Sequence, residues 1–221
     1  MIVPTSPYPI LYEDNHLIAV LKPADLLTQG DETGDPNLLD ELKAFIKIRD
    51  QKPGNVFLGM VHRLDRPVGG IVLFAKTSKG ASRISEQFRE GSIQKTYRAL
   101  VDHMPPEMEG ELTHYLSKDE MTNRTHVSRE ERAQAKKSTL GYKVLGQVGD
   151  YFDMEIKPKT GRSHQIRASL AAIGCPIVGD RKYRSTKRYR DGIALRATGL
   201  SFAQPVTKEK IELAIPPAWN D

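Results

Sequence analysis

One cysteine, Cys175, stands in a chain of 221 residues. A lone thiol excludes a disulfide framework and a cysteine metal cluster, and it suits a reducing, cytoplasmic compartment. Long apolar runs are missing as well. The run from Leu17 to Leu21 falls far short of the roughly 20 residues that cross a bilayer, so no membrane partner is expected. The opening Met1-Ile2-Val3-Pro4-Thr5-Ser6-Pro7 lacks the basic start and apolar core of a secretion signal. Nothing repeats, and no low-complexity tract or linker divides the chain. A single domain over residues 1–221 is the expectation. Acid is absent from one stretch, where Arg181, Lys182, Arg184, Lys187, Arg188 and Arg190 surround Tyr183 and Tyr189. Such a run reads either as a solvated loop or as a surface for phosphates and stacked bases.

What remains is an ordinary globular composition, 38% hydrophobic and 28% charged. The net charge of +5 with a pI near 9.2 leans toward polyanionic partners. Periodicity places strands at Ile10–Glu13, 17–21 and 70–76, then at 95–101, 111–116, 137–145 and 151–156, and finally at 193–202 and 210–215. Three helices alternate with them. The first spans 38–48 after Asp35-Pro36-Asn37 and presents Leu39, Leu42, Phe45 and Ile46 on one face. The second spans 77–90, capped by Thr77 or Ser78, striped by Ala81, Ile84 and Phe88, and ended by Gly91. The third, 163–173, buries Ile166, Leu170 and Ile173 and stops at Gly174. The fold expected is α+β on an antiparallel or mixed sheet.

Three segments carry chemistry. In Gly59-Met60-Val61-His62-Arg63-Leu64-Asp65-Arg66-Pro67-Val68-Gly69-Gly70, one acid sits between two arginines just before a turn and a strand. Cations within a few ångströms favour the ionised form of such an acid. In Gln94-Lys95-Thr96-Tyr97-Arg98-Ala99-Leu100-Val101, Tyr97 shares a strand face with Ala99 and Val101, as core or as an exposed ring. In Lys159-Thr160-Gly161-Arg162-Ser163-His164-Gln165-Ile166-Arg167, a glycine turn enters a helix whose first turns carry two arginines, a histidine and a glutamine. Helix N-termini favour anions, and these donors add to that field.

Taken in order, these segments resemble the RluA family of RNA pseudouridine synthases along nearly the whole chain. The matching pieces are Leu21-Lys22-Pro23-Ala24, His62-Arg63-Leu64-Asp65, Lys95-Thr96-Tyr97-Arg98-Ala99, Thr160 to Arg167, and Pro176-Ile177-Val178-Gly179-Asp180 with Tyr183. The resemblance implies a mixed, largely antiparallel sheet with helices flanking a central cleft. It implies no N-terminal S4 domain, since the first catalytic-domain strand starts near Ile10. It further implies that Asp65 is the essential acid, Tyr97 the ring against the target uracil, Arg167 the basic partner of Asp65, and Arg63 the residue that enters the RNA stack. His62, Arg162, His164, Gln165, Arg184, Lys187 and Arg188 are the expected RNA contacts. Three departures stand out: Val68-Gly69-Gly70 for Thr-Ser-Gly, Leu195-Arg196-Ala197 for Leu-His-Ala, and Gln204-Pro205 for His-Pro.

The implied reaction breaks the N1–C1′ bond of uridine, turns the uracil and joins C5 to C1′. Nothing is oxidised and no group is consumed, so no cofactor and no metal are expected. An aspartate suits either covalent attack or removal of a sugar proton. The implied partner is structured RNA, ribosomal or transfer, with a monomer as the default state. Two rival classes are a metalloenzyme built on His62, Asp65 and His164 and a catalytically silent RNA-binding module.

Overall fold

The computed structural model describes residues 5–190 and 192–219; the first four residues, on which the reading of the N-terminus rests in part, lie outside them. In chain order the elements are β1 (Ile10–Glu13), β2 (Leu17–Lys22), α1 (Leu38–Arg49), β3 (Gly59–Met60), β4 (Gly69–Ala75), α2 (Ser78–Glu90), β5 (Gln94–Val101), β6 (Glu109–Asp119), β7 (Arg124–Ser128), β8 (Lys136–Val148), β9 (Tyr151–Pro158), α3 (Gln165–Ala172), β10 (Leu195–Ala203) and β11 (Lys210–Ala214). The class is α+β. Its Cα framework falls into two compact units: residues 1–93 with 199–215, and residues 94–198 with 216–221.

In the first unit, β2 pairs antiparallel with β1 and with β4, matching Leu17 to Ala75 and Lys22 to Gly70. Leu17, Ala19, Ile71, Leu73 and Ala75 point to one face, where they form a buried cluster with Ile84 of α2 and with Leu200 and Phe202. Ile18, Val20, Val72 and Phe74 alternate to the other face and are equally inaccessible. Burial on both faces is why these strands read as unbroken apolar runs rather than as alternation. Thr77 caps α2 by accepting from Gly80 N, and Gly91 ends it in the left-handed conformation. In α1 the buried stripe is Leu38, Leu42, Phe45 and Ile46, with Leu39 only half-buried. The stripe starts one residue earlier than expected because Asn37 is the cap, its side chain accepting from Asp40 N at 3.0 Å.

The second unit is an antiparallel array in which β9 pairs β5 and β8, and β6 pairs β8 and β7. β6 and β8 outrun the sequence expectation, and β7 was absent from it. Helix α3 starts at Gln165, two residues later than expected, because His164 sits at φ 49° and ψ 21° and supplies no capping side chain. Arg162 and His164 therefore belong to the turn before the helix and not to its first turn. Among the described residues, no helix is long and apolar enough to cross a membrane.

Candidate active site

In the first unit, Asp65 opens a turn closed by Val68 N donating to Asp65 O at 3.0 Å. Three supports hold that turn. Thr28 Oγ1 donates to Leu64 O at 2.8 Å and accepts from Leu64 N at 3.2 Å, both bonds buried. Lys22, only 1% exposed, donates from Nζ to Arg66 O at 3.1 Å, Pro23 O at 2.9 Å and Leu26 O at 2.6 Å. His62 Nε2 accepts from Leu73 N at 2.9 Å, which seats the residues before the acid against β4. The loop thus hangs from a lysine, a threonine and a histidine, none of them at the chemical position.

The charge pattern differs from the sequence picture. Arg66 turns away to pair with Asp35, Nη1 to Oδ2 at 2.6 Å, on the surface. Lys22 is a buried cation of this unit that feels Asp65. Burial pushes its ammonium down to about 8, while the charges of Asp25 and Asp65 pull it back up. A lysine at a strand end reads as a solvated terminus, because lysine is almost never fully buried; only its place in the Leu21-Lys22-Pro23-Ala24 segment hinted otherwise. Arg63 is exposed and Asp65 half-buried.

In the second unit, Arg167 and Asp180 form a bidentate pair, Nε to Oδ2 at 2.7 Å and Nη2 to Oδ1 at 2.9 Å. They are 5% and 1% exposed. The guanidinium also lies 5.2 Å from the Tyr183 ring centre, a cation–π geometry that fixes its plane. Tyr183 is positioned in turn by Thr125 N, which donates to Oη at 2.9 Å, and by His164 Nδ1 at 2.8 Å from the same oxygen. Sequence reasoning quoted Asp180 and Tyr183 but gave neither this role. Tyr97 lies half-buried on β5 opposite Ile156, short of full core burial. Lys95, two residues before it, donates to Thr160 O at 3.2 Å, and burial pushes its ammonium down.

Gln165 has a different job from the RNA contact expected of it. It is 4% exposed. Its Oε1 accepts from Arg162 N at 3.0 Å and Thr160 Oγ1 at 2.7 Å, and its Nε2 donates to Thr139 O at 3.0 Å. Those bonds build the turn before α3. Arg162 is exposed, with Nε reaching Lys137 O at 3.2 Å. Lys187 and Arg188 gather with Arg181 around one pocket, whereas Arg184, exposed and at φ 74°, is not among its lining. Of the trio weighed as metal ligands, His62 Nε2 accepts from Leu73 N and His164 Nδ1 lies 2.8 Å from Tyr183 Oη. Among the departures, Gln204 closes the turn into β11. Its Oε1 accepts from Thr207 N at 2.7 Å, and its Nε2 donates to Asp14 at 2.8 Å.

Each unit thus holds one firmly supported charged side chain, an acid in the first and an arginine in the second. Residues 16–172 match the family described as RNA pseudouridylate synthase, and the chain belongs to that family. Within it, this is a member of the RluA group, and hence an isomerase. It is 33% identical over 222 residues to the dual-specificity RNA pseudouridine synthase RluA of Pasteurella multocida, covering 98% of this chain and 96% of that one. It is 33% identical over 235 residues to tRNA pseudouridine synthase C of Vibrio parahaemolyticus, covering 96% and 92%. The human RNA pseudouridylate synthase domain containing 4 shares the fold, with a TM-score of 0.78 at 23% identity over 94% of this chain and 88% of that one.

Proposed function

We propose that this protein converts uridine to pseudouridine in structured RNA, transfer or ribosomal, with Asp65 as the essential acid, Arg167 as its basic partner and Tyr97 as the ring that holds the uracil. The observation that carries the reading is the bracing of the Asp65 turn. Three buried or half-buried side chains, Lys22, Thr28 and His62, fix the backbone on both sides of one half-buried carboxylate. A surface ion pair has no use for that degree of fixation, whereas a reacting group does, since small misplacements cost large factors in rate.

The chemistry is an isomerisation in which the N1–C1′ bond breaks, C5 bonds to C1′, C5 gives up its proton and N1 gains one. Asp65 starts cleavage as nucleophile or as base at the sugar. Tyr97 stacks on the freed uracil while it turns. A base inside folded RNA has to be extruded first, at a cost of a few kcal/mol. Arg63, exposed beside the acid, fills the vacated stack, and phosphate contacts offset the rest.

The test is tritium release from total RNA labelled with [5-3H]uridine, together with pseudouridine mapping of cellular RNA with and without the protein. Wild type should release tritium and account for at least one mapped position. Asp65→Asn, nearly isosteric, should release none while still binding RNA. Binding without release by the wild type would leave an RNA-binding module in place of the enzyme.

A further inference from the structure

The acid-free stretch folds into a pocket. Gly179, Arg181, Lys187, Arg188, Tyr189 and Gly192 line a cavity of about 430 Å³ that opens to solvent. Three cationic residues and one aromatic residue line it, and no carboxylate stands among the described lining residues; Asp191, between Tyr189 and Gly192, lies outside the described residues. Asp180, next to the floor, is buried and wholly engaged by Arg167.

The pocket is built rather than draped. Gly179 has φ +87°, and a Cβ there would lie 2.7 Å from Tyr189 Cβ and 3.2 Å from Gly192 O. Only a glycine lets the Tyr189 backbone rest on this floor. The loop is tied down by groups that the pocket does not use. Ser185 N donates to Asp180 O at 3.0 Å, Lys187 N to Ser185 Oγ at 3.3 Å, and Arg190 Nη2 to Ala218 O. Gathering three like charges costs free energy, and a bound anion offsets it.

We infer that this pocket is a subsite for one backbone phosphate of the substrate RNA and for the base beside it. Arg181, Lys187 and Arg188 take the phosphate, and Tyr189 stacks on the base. Phosphate contacts and stacking are tolerant of sequence, so the subsite supplies grip and register while the choice of uridine is made elsewhere. The inference rests on the reading of this chain as an enzyme acting on RNA.

The experiment uses the full chain and total cellular RNA, which holds both transfer and ribosomal RNA. Binding is followed across about 50 to 200 mM salt, with tritium release in parallel. Arg181→Gln/Lys187→Gln/Arg188→Gln should weaken binding, lower the logarithmic salt slope by about one unit, and place the kinetic loss mainly in KM. Tyr189→Ala should weaken binding about 5- to 150-fold, as expected for one base–aromatic stack, with the slope unchanged. Tyr189→Phe should bind as the wild type does, which separates stacking from loss of fold. Calorimetry with uridine monophosphate and with inorganic phosphate distinguishes the sources of the anion. If either binds through the three cations while the triple variant leaves RNA affinity and KM unmoved, the pocket serves a free nucleotide or ion and the inference falls. An unchanged slope in the triple variant, or equal affinity of the Tyr189→Ala and Tyr189→Phe variants, overturns it as well. If the wild type releases no tritium but the variants still lose RNA affinity as described, the enzyme reading fails and the subsite stands.

Discussion

Removing Asp180 should damage this protein more than removing Arg167, and removing both should damage its fold least. Their two hydrogen bonds are 2.7 and 2.9 Å long, between side chains that are 6% and 1% exposed. Breaking a buried pair from one side strips the surviving charge of its two bidentate hydrogen bonds, at a cost of up to about 3–5 kcal/mol, a large share of the roughly 5–15 kcal/mol that holds a domain folded. The two single variants are not equivalent. A lone buried carboxyl can escape by taking up a proton, but a guanidinium cannot give one up, so Asp180→Ala belongs at the upper end of that range and Arg167→Met lower. Arg167→Met/Asp180→Leu deletes both charges and should recover most of the loss, to within about 1–2 kcal/mol of wild type. Urea unfolding gives the three differences. Tritium release gives the second axis: stability should return in the double variant, and turnover should not. A cost below about 1 kcal/mol for Asp180→Ala would mean that the pair is effectively solvated. Activity in the double variant would remove Arg167 from the chemistry.

Other expectations follow from the same geometry. Tyr97→Phe keeps the ring and should bind RNA normally; if the hydroxyl aids removal of the C5 proton, this variant accumulates an intermediate after N1–C1′ cleavage, and wild-type turnover would show the hydroxyl to be dispensable. Tyr97→Leu should also lose about 1–3 kcal/mol of grip on the flipped base, and equal binding by both variants would return Tyr97 to a packing role. For Lys22, burial pushes the folded-state value down to about 8, against about 10.4 in the unfolded chain. Between those values the unfolded state holds more protons, so this group's contribution to stability rises by about 3 kcal/mol as pH climbs from 8 to 10.4. Turnover should move oppositely, falling above about pH 8, because a neutral amine has two N–H groups for three carbonyls; an alkaline limb that survives in Lys22→Met would assign it to another group. Reversing the charge of Arg184, Lys187 and Arg188 together should weaken RNA binding and flatten its salt dependence, and an unchanged slope would return this run to a solvated loop.

What the sequence disclosed depended on how local each signal was. Thr77 and Gly91 bracket α2 where expected, because a cap and a left-handed glycine are written within a few residues of the bonds they make. Strand β7 escaped notice because Arg124-Thr125-His126-Val127-Ser128 has no apolar stripe; its pairing with β6 is what makes it a strand. The start of α3 was misplaced because nothing in Ser163-His164-Gln165 announces a histidine in left-handed conformation, which is uncommon outside glycine. The proposed acid, ring and arginine stand in segments that were legible as a family pattern. Their supports were not, because each is a long-range contact: Thr28 with Leu64, Lys22 with Arg66, Thr125 with Tyr183.

The hydroxyl of Thr28 closes both backbone groups of Leu64, while the carbonyl of Thr28 accepts from Leu39 N in the first turn of α1 at 3.2 Å. Helix α1 carries no group of the chemistry, yet its N-terminal turn is joined to the residue before Asp65 through one threonine. Mutational tolerance should therefore divide along the helix. The exposed positions beyond the first turn, such as Lys47 and Ile48, are free to drift, whereas residues 37–39 are tied to the acid's turn through Leu39 and Thr28. Selection for turnover would be felt in a helix that supplies none of the proposed catalytic groups.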